Sequence, residues 1–383
     1  MAYLISEEAQ DLLQDVKNFC DKEVVEQCKE YDVSGEWPKA IYEKAIEQGY
    51  QALEVPEEYG GPGGCDLDRV LAIREIGKVD GSLATLLSVS SMMIHALEEF
   101  GTEEQKNKYF PLLAEQGYIT AFALTEPGAG SDPSAMKSTA KLDEATGEYV
   151  INGNKTFITG GARADVIVIF VMTSPEKGTK GISAFILEKG MKGLSYGTPE
   201  NKMGICASET VDLFFDDLRV PKENLLGKAD EGFKIAMKIL DGSRIGIGAV
   251  ALGIAEGAFE EAVKYSKERK QFGKPICANQ GIQWYIAEMA TSIETARMLL
   301  FEAATLREQG KPYSKQAAMS KLYCSKVARE VTNLALQIHG GYGYMKEYTV
   351  ERLYRDAKIT EIYEGTSEIQ KIVIAKQVLA EFK

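Results

Sequence analysis

Histidine is nearly missing from this chain. Among 383 residues it occurs twice, as His95 and His339. That excludes a histidine-rich metal centre, and no metal site is expected; a histidine-dependent nucleophile triad has only these two to draw on. Cysteine is sparse and scattered: Cys20, Cys28, Cys65, Cys206, Cys277 and Cys324 form no C-x-x-C pair and no dense framework. They read as free thiols of a reducing compartment. Long apolar runs are missing too. The longest, Val166 to Met172, falls far short of the ~20 residues that span a bilayer. The opening MAYLISEEAQ has neither a basic nor an apolar signal region, so secretion is not expected and the cytoplasm is. Basic charge is in deficit, with 44 Lys and Arg against 57 Asp and Glu, a net charge of −13. Such a chain is poorly suited to sequence-independent nucleic-acid binding, although a local basic pocket for phosphates remains compatible with it. Chemistry must therefore come from carboxylates, tyrosine, lysine or a cofactor.

What is present is an ordinary globular composition, 45% hydrophobic and 26% charged, long enough for two or three domains at about 150 residues each. Leu12, Leu13, Val16, Phe19, Cys20 and Val24 recur at helical spacing. Helical patterning continues through Ile41 to Leu53, breaks at Gly60-Gly-Pro-Gly-Gly64, and resumes from Asp68 to Gln116. Near Tyr118 the texture becomes β-rich. Tyr149 to Ile151, Lys155 to Thr159, Val166 to Met172, Ile182 to Leu187 and Val211 to Phe215 read as short strands, separated by clusters such as Asn152-Gly-Asn154 and Asp216-Asp217. Their close spacing predicts a sandwich or barrel and not a parallel βαβ sheet. After Pro221 the pattern is helical again, over Gly232–Lys270, Gln283–Gln309 and Ser314–His339. The expected organisation is α+β: an all-α domain over 1–120, a β domain over 121–230 and a helical domain over 231–383.

Three motifs carry little. Gly246-Ile-Gly248-Ala-Val-Ala251 has the shape of a dinucleotide fingerprint, but no strand precedes it and it lies in an Ala/Gly-rich helical pattern. Close helix packing explains it better. The Gly60–Gly64 loop lacks the Gly-Lys-Ser/Thr ending of a phosphate loop. His95, following Met92, Met93 and Ile94, reads as a packed core residue.

Other segments say more. Ala121-Phe-Ala-Leu-Thr-Glu-Pro-Gly-Ala-Gly-Ser-Asp132 is a tight loop whose glycines let a flat ring or pyrophosphate come close. Phe157-Ile-Thr159 offers an aromatic ring and a hydroxyl. Glu268-Arg-Lys-Gln-Phe-Gly273, with Gln280 further on, puts an arginine beside an aromatic at a helix end. Gln337-Ile-His-Gly-Gly-Tyr-Gly343 precedes Arg355-Asp-Ala-Lys-Ile359 and Ile362-Tyr-Glu-Gly-Thr-Ser-Glu368. Glu364 stands there before a glycine between helical segments, where a carboxylate projects from a turn.

Over its whole length, and in the order of these segments, the sequence resembles the acyl-CoA dehydrogenase family, closest to its short-chain (butyryl-CoA) branch. The resemblance implies an N-terminal helical domain, a middle β-barrel or sandwich domain and a C-terminal four-helix bundle. It implies bound FAD, a tetramer built as a dimer of dimers, and electron transfer to an electron-transfer flavoprotein. Phe122 to Ser131 would line the flavin, with Leu124 and Gly130 among them; Thr125 would bond the isoalloxazine edge, and Ser131 would lie between FAD and the CoA arm. Phe157, Ile158 and Thr159 would pack on the ring. Arg269, Gln271, Phe272 and Gln280 would reach the FAD of a neighbouring subunit, and Gln337, Ile338, Gly340 and Gly341 its adenosine end. Thr366 and Glu368 would touch the cofactor again. Asp241 and Arg244 would meet CoA, and Tyr363 and Gly365 would flank the thioester.

Glu364 would be the base that removes the α proton, with the β hydride passing to flavin N5 and the enolate held by the Glu364 N–H and a ribityl hydroxyl. In the isovaleryl type the base comes from the helix of the Arg244 motif; the matching residue here is Ser243, which cannot serve. Gly160-Gly161 departs from the Asn that relatives often carry after Phe-Ile-Thr. The same chemistry run backwards makes an enoyl-CoA reductase of a butyryl, aryl-propenoyl or alicyclic substrate. An oxidase would be expected to carry a further C-terminal domain, and a flavin-less scaffold would not need Glu364. Glu364→Gln is expected to keep FAD bound while turnover falls by several orders of magnitude; near-normal turnover would remove Glu364 from the role.

Overall fold

The computed structural model describes residues 5–382. Helix α1 (Glu7–Phe19) starts where the Ser6 hydroxyl accepts from the Ala9 N–H at 3.2 Å, with Glu7 and Glu8 in the positive first turn. It runs into a π-helical turn at Cys20–Val24, followed by α2 (Cys28–Ser34) and α3 (Lys39–Glu47). The helical stretch expected over Asp68–Gln116 is split into three: α4 (Asp66–Val79), α5 (Gly81–Phe100) and α6 (Glu103–Ala114). Asp80 makes the first break, its carboxylate accepting from the Ser82 N–H at 2.7 Å. Thr102 and Gln105 make the second through reciprocal caps. Every residue of α5 from Gly81 to Leu97 is buried, so this helix runs through the middle of the molecule.

The β segment holds β1 (Thr120–Ala123), β2 (Thr139–Asp143), β3 (Glu148–Thr159), β4 (Val166–Met172), β5 (Ile182–Glu188), β6 (Leu194–Tyr196), β7 (Thr210–Pro221) and β8 (Leu225–Leu226). Among the described residues they form one eight-stranded sheet in the order β6-β7-β3-β2-β4-β5-β8, with β1 parallel to β4. β4 is buried throughout. Its Val166, Val168, Phe170 and Met172 join the core shared with α5 and α6, and Ile167, Ile169 and Val171 join the core of the other face, the alternation a strand requires. Two expected turns are not turns. Asn152-Gly-Asn154 lies inside β3 and Asp216-Asp217 inside β7; the register between these strands slips between Ile151 and Gly153 and again between Lys155 and Ile158. The turn residues mark bulges in long strands, which sequence spacing alone does not separate from hairpin ends.

After the sheet come α7 (Gly232–Glu268), a short hairpin of β9 (Lys270–Gln271) and β10 (Lys274–Pro275), α8 (Gln280–Glu308), α9 (Ser314–His339), α10 (Thr349–Ile359) and α11 (Ser367–Glu381). α7 packs on α8 and α9 and also on α4 and α5, tying the two helical regions together. Glycine makes that crossing possible. A Cβ on Gly253 would stand 2.2 Å from the Arg74 carbonyl oxygen, and one on Gly257 would stand 2.1 Å from that of Lys78. The Gly246–Ala251 stretch lies inside the same helix, as close packing required. The cysteines are free, and no helix of the described residues is long and apolar enough to cross a membrane. Gly253→Ala is expected to destabilise the fold by about 1–3 kcal/mol, because the backbone of α4 has to move away; thermal denaturation of the holoprotein checks it.

Candidate active site

Glu364 stands between α10 and α11 with φ +52°, followed by Gly365 at +95°. A left-handed glutamate costs roughly 1–2 kcal/mol and persists only where its surroundings hold it. Lys321 of α9 donates from Nζ to the Gly365 carbonyl at 2.7 Å. Gln370 of α11 donates to the same oxygen at 2.8 Å and to the Glu364 carbonyl at 3.3 Å. The Ser367 N–H closes the turn onto the Glu361 carbonyl at 3.0 Å, and the Tyr363 and Thr85 hydroxyls meet at 3.3 Å.

The Glu364 side chain is half-buried, and its Oε2 is a buried oxygen without a hydrogen-bond partner. Burial pushes the carboxyl up to about 7, against the Ser243 hydroxyl and the positive charges of Lys321 and Arg244, which hold it down. Lys321 is itself fully buried, and burial lowers its ammonium to about 8 against the pull of Glu364. Arg244 of α7 is buried and ion-paired with Asp241 one turn back. Burial lowers the guanidinium and raises the Asp241 carboxyl, yet Arg244 Nε has no partner. A carboxyl poised near neutrality beside a buried guanidinium suits proton transfer next to an anionic ligand.

A second candidate region lies on the sheet, at the C-terminal end of β3 and in the loop after β1. Lys155 of β3, fully buried, donates to Glu126 at 2.7 Å and to the Leu124 carbonyl at 3.1 Å. Glu126 also accepts from the Lys137 and Ser138 N–H groups, and the Thr156 N–H reaches the Thr125 carbonyl at 2.9 Å. The loop carrying Leu124, Thr125, Gly130 and Ser131 is thereby pinned beside the strand end carrying Phe157, Ile158 and Thr159. Phe157 sits in the bulge with φ +58° and leaves its ring 65% exposed, while Ile158 is buried beneath. Phe122 is half-buried against Phe170, ring centroids 5.0 Å apart. Gly130 and Ser131 are exposed, and a Cβ added at Gly128 or Gly130 would meet nothing within 4 Å. An outward aromatic ring, two threonines and an open glycine loop fit a flat heterocycle such as the isoalloxazine of FAD.

The remaining candidates divide. Arg269, at the C-terminal end of α7, stacks on Tyr342 at 5.3 Å, which brings its segment to the one carrying Gln337, Ile338, Gly340 and Gly341. Gln271, Gln280, Gln337, Gly340 and Gly341 are exposed, Ile338 is buried, and Phe272, with φ +51°, is 95% exposed. This second cluster lies at the C-terminal ends of α7 and α9. Thr366 caps α11 by accepting from the Ile369 N–H, and Glu368 is exposed in its first turn. His95 is a core residue, bonded to Glu54 at 3.1 Å. Glu54, Asp66 and His95 converge within 4.8 Å, but Arg69 and Arg307 hold the carboxylates, at 2.9 Å for Arg69–Glu54 and 2.6 Å for Arg307–Asp66. The sequence reading missed Lys321, Gln370 and the Glu126–Lys155 pair. Glu126 stood in the glycine-rich motif without a role; nothing in the helical pattern around Lys321 marked it.

A helix–sheet–helix chain with a near-neutral carboxyl left unpaired at one oxygen, and an outward aromatic ring at the end of β3, has the build of a cofactor-dependent oxidoreductase. The N-terminal, middle and C-terminal domain families of acyl-CoA dehydrogenase match residues 6–117, 121–218 and 230–379. The chain belongs to the acyl-CoA dehydrogenase family. It is 54% identical over 379 residues to acryloyl-CoA reductase (NADH) of Anaerotignum propionicum, covering 99% of this chain and 96% of that one. The butyryl-CoA dehydrogenase structure from Megasphaera elsdenii superposes with a TM-score of 0.97 at 45% identity, covering 99% and 100%. A chain in the structure of the electron transferring flavoprotein of Acidaminococcus fermentans gives 0.96 at 49% identity, with the same coverage.

Because Lys321 favours the ionised form of Glu364, Lys321→Met is expected to raise the Glu364 pKa. The acidic limb of the kcat/KM profile should then move to higher pH, and an unmoved limb would reduce Lys321 to a fold contact.

Proposed function

We propose that this protein is an FAD-dependent oxidoreductase that removes two hydrogens from the α and β carbons of a short-chain acyl-CoA thioester, giving the trans-2-enoyl-CoA. The observation that supports it most is the Glu364 carboxyl, which is half-buried, unpaired at one oxygen, on a left-handed residue and held near neutrality by burial. Bound FAD, the cofactor of this family, supplies the acceptor for the β hydride. Glu364 takes the α proton, and its own N–H donates to the thioester oxygen where negative charge gathers. Arg244 and Asp241 hold the CoA arm, and Tyr363 and Gly365 flank the thioester. The Phe122–Ser131 loop and Phe157–Thr159 seat the flavin, with Thr366 and Glu368 beside it. Arg269, Gln271, Phe272, Gln280 and the Gln337–Gly341 segment reach the FAD of a neighbouring subunit in a homotetramer, which accounts for a phenylalanine left 95% exposed on the single chain. Electrons pass to an electron-transfer flavoprotein, in the cytoplasm.

The 54% identity to an acryloyl-CoA reductase favours a second reading, the same reaction run toward the saturated thioester. A carboxyl near neutrality suits both directions, since its protonated form can return the proton to the α carbon. Purified protein should carry a flavin spectrum that bleaches on anaerobic addition of butyryl-CoA. A protein that stays colourless after FAD is supplied defeats both readings.

A further inference from the structure

The segment Arg355-Asp-Ala-Lys-Ile359 takes no part in the chemistry described so far, yet its first two side chains tie a helix to the sheet region. Both belong to α10. The Asp356 side chain is buried, and its Oδ1 accepts from the Ile205 N–H at 2.5 Å. Ile205 lies in the loop between β6 and β7, is itself buried and has φ +43°. A left-handed conformation is an outlier for a β-branched residue and persists only where the surroundings impose it. Arg355 holds the same loop. It donates to the Met203 carbonyl at 3.1 Å and forks onto Asp32 of α2 at 3.2 and 2.7 Å. Between these two contacts the loop backbone lies directly on the helix, since a Cβ on Gly204 would stand 2.6 Å from the Arg355 carbonyl.

Hydrogen bonds run from this junction in both directions. Toward Glu364, the N–H groups of Thr360, Glu361, Ile362 and Tyr363 donate to the carbonyls of Ala357, Lys358 and Ile359, at 2.8 to 3.3 Å. Ser325 of α9 donates to the Thr360 carbonyl at 2.8 Å. The bonded backbone of α10 thus continues to Tyr363, the residue before the left-handed Glu364. Toward the sheet, the Ile205 carbonyl accepts from the Ser208 N–H at 3.0 Å, and the Glu209 carbonyl accepts from the Gly160 N–H at 2.7 Å. Thr210 then opens β7 opposite Thr159, at the end of β3 that carries Phe157 and Ile158.

The Asp356–Ile205 bond therefore joins the turn of the proposed base to the strand end of the proposed flavin seat. Proton and hydride leave adjacent carbons of one thioester, so these two places must keep a fixed separation, and a misplacement of about 1 Å can cost about 100-fold in the chemical step. Resting on the dehydrogenase reading, we propose that Asp356 is a positioning residue: by holding the Ile205 N–H it sets Glu364 at its working distance from the flavin seat. Asp241 and Arg244, assigned to the CoA arm, stand on α7 and not on this path, so the loss should fall on kcat and not on KM.

The test compares Asp356→Ala, Asp356→Asn and Gly204→Ala as holoenzymes, through anaerobic bleaching by butyryl-CoA and steady-state kcat and KM, all per bound flavin. Asp356→Ala is expected to lower the bleaching rate and kcat about 10- to 100-fold with KM within about twofold. Asn keeps an oxygen for the Ile205 N–H. Burial raises the Asp356 carboxyl to about 7, against Arg352 and the Ile205 N–H, which hold it down, so a neutral group is tolerated there. Asp356→Asn is expected to stay within about threefold of wild type. Gly204→Ala pushes the loop off α10 with Asp356 in place, and a fall of about tenfold at unchanged KM is expected. Amide hydrogen exchange should quicken over 203–206 and 360–366 together in the Asp356→Ala and Gly204→Ala variants. A wild-type rate per flavin in Gly204→Ala overturns the inference alone, whether or not Asp356→Ala folds. So does an Asn variant as slow as the Ala variant, or faster exchange confined to one of the two segments. Wild-type protein that no thioester bleaches overturns the dehydrogenase reading and the positioning role with it.

Discussion

The structure turns on one backbone feature: a glutamate held left-handed in front of a glycine, clamped by two side chains that reach the same carbonyl. Lys321 comes from α9 and Gln370 from α11, so the turn keeps its shape only while both helices are docked. That docking depends in turn on α7, which packs on α9 and crosses α4 through glycines with no room for a side chain. Helix packing, backbone strain and the placement of the Glu364 carboxyl form one chain of cause. The same clamp supplies the electrostatics. Lys321 is drawn into the core by its hydrogen bond, and its charge offsets part of the burial that would otherwise push Glu364 further toward its neutral form.

Charge is arranged locally and not as a field over the whole surface. The chain is acidic by 13 charges, yet buried cations gather at two places: Lys155 under the glycine-rich loop, and Lys321, Arg244 and Arg69 near the Glu364 carboxyl. Each has an acidic or carbonyl partner, which is what allows charge to be kept in a core. In each arginine one nitrogen is left without a partner, Nε of Arg244 and Nη1 of Arg69.

Much of this was legible along the chain. The change from helix to strand texture near Tyr118, the return to helix after Pro221, and the span of α9 followed from periodicity and propensity, which act within a few residues. The glycine-rich loop, the Phe-Ile-Thr strand end and the Glu-Gly turn were visible because local backbone chemistry is written in adjacent residues. The Asn152-Gly-Asn154 and Asp216-Asp217 clusters misled for the same reason: a bulge and a hairpin end use the same residues, and only the partner strand tells them apart.

The sequence by itself determined the main element types, the family and the turn on which Glu364 stands, because these are carried by short contiguous motifs. It did not determine what surrounds that carboxylate. Lys321 lies 44 residues from the carbonyl it grips, and Ser88 and Arg69 meet on Gly246 from three different helices. Such contacts have no local signature; they exist once burial has folded distant helices together. The near-neutral Glu364 is therefore a property of the tertiary structure, since burial, which raises a carboxyl, is set by neighbours distant in sequence.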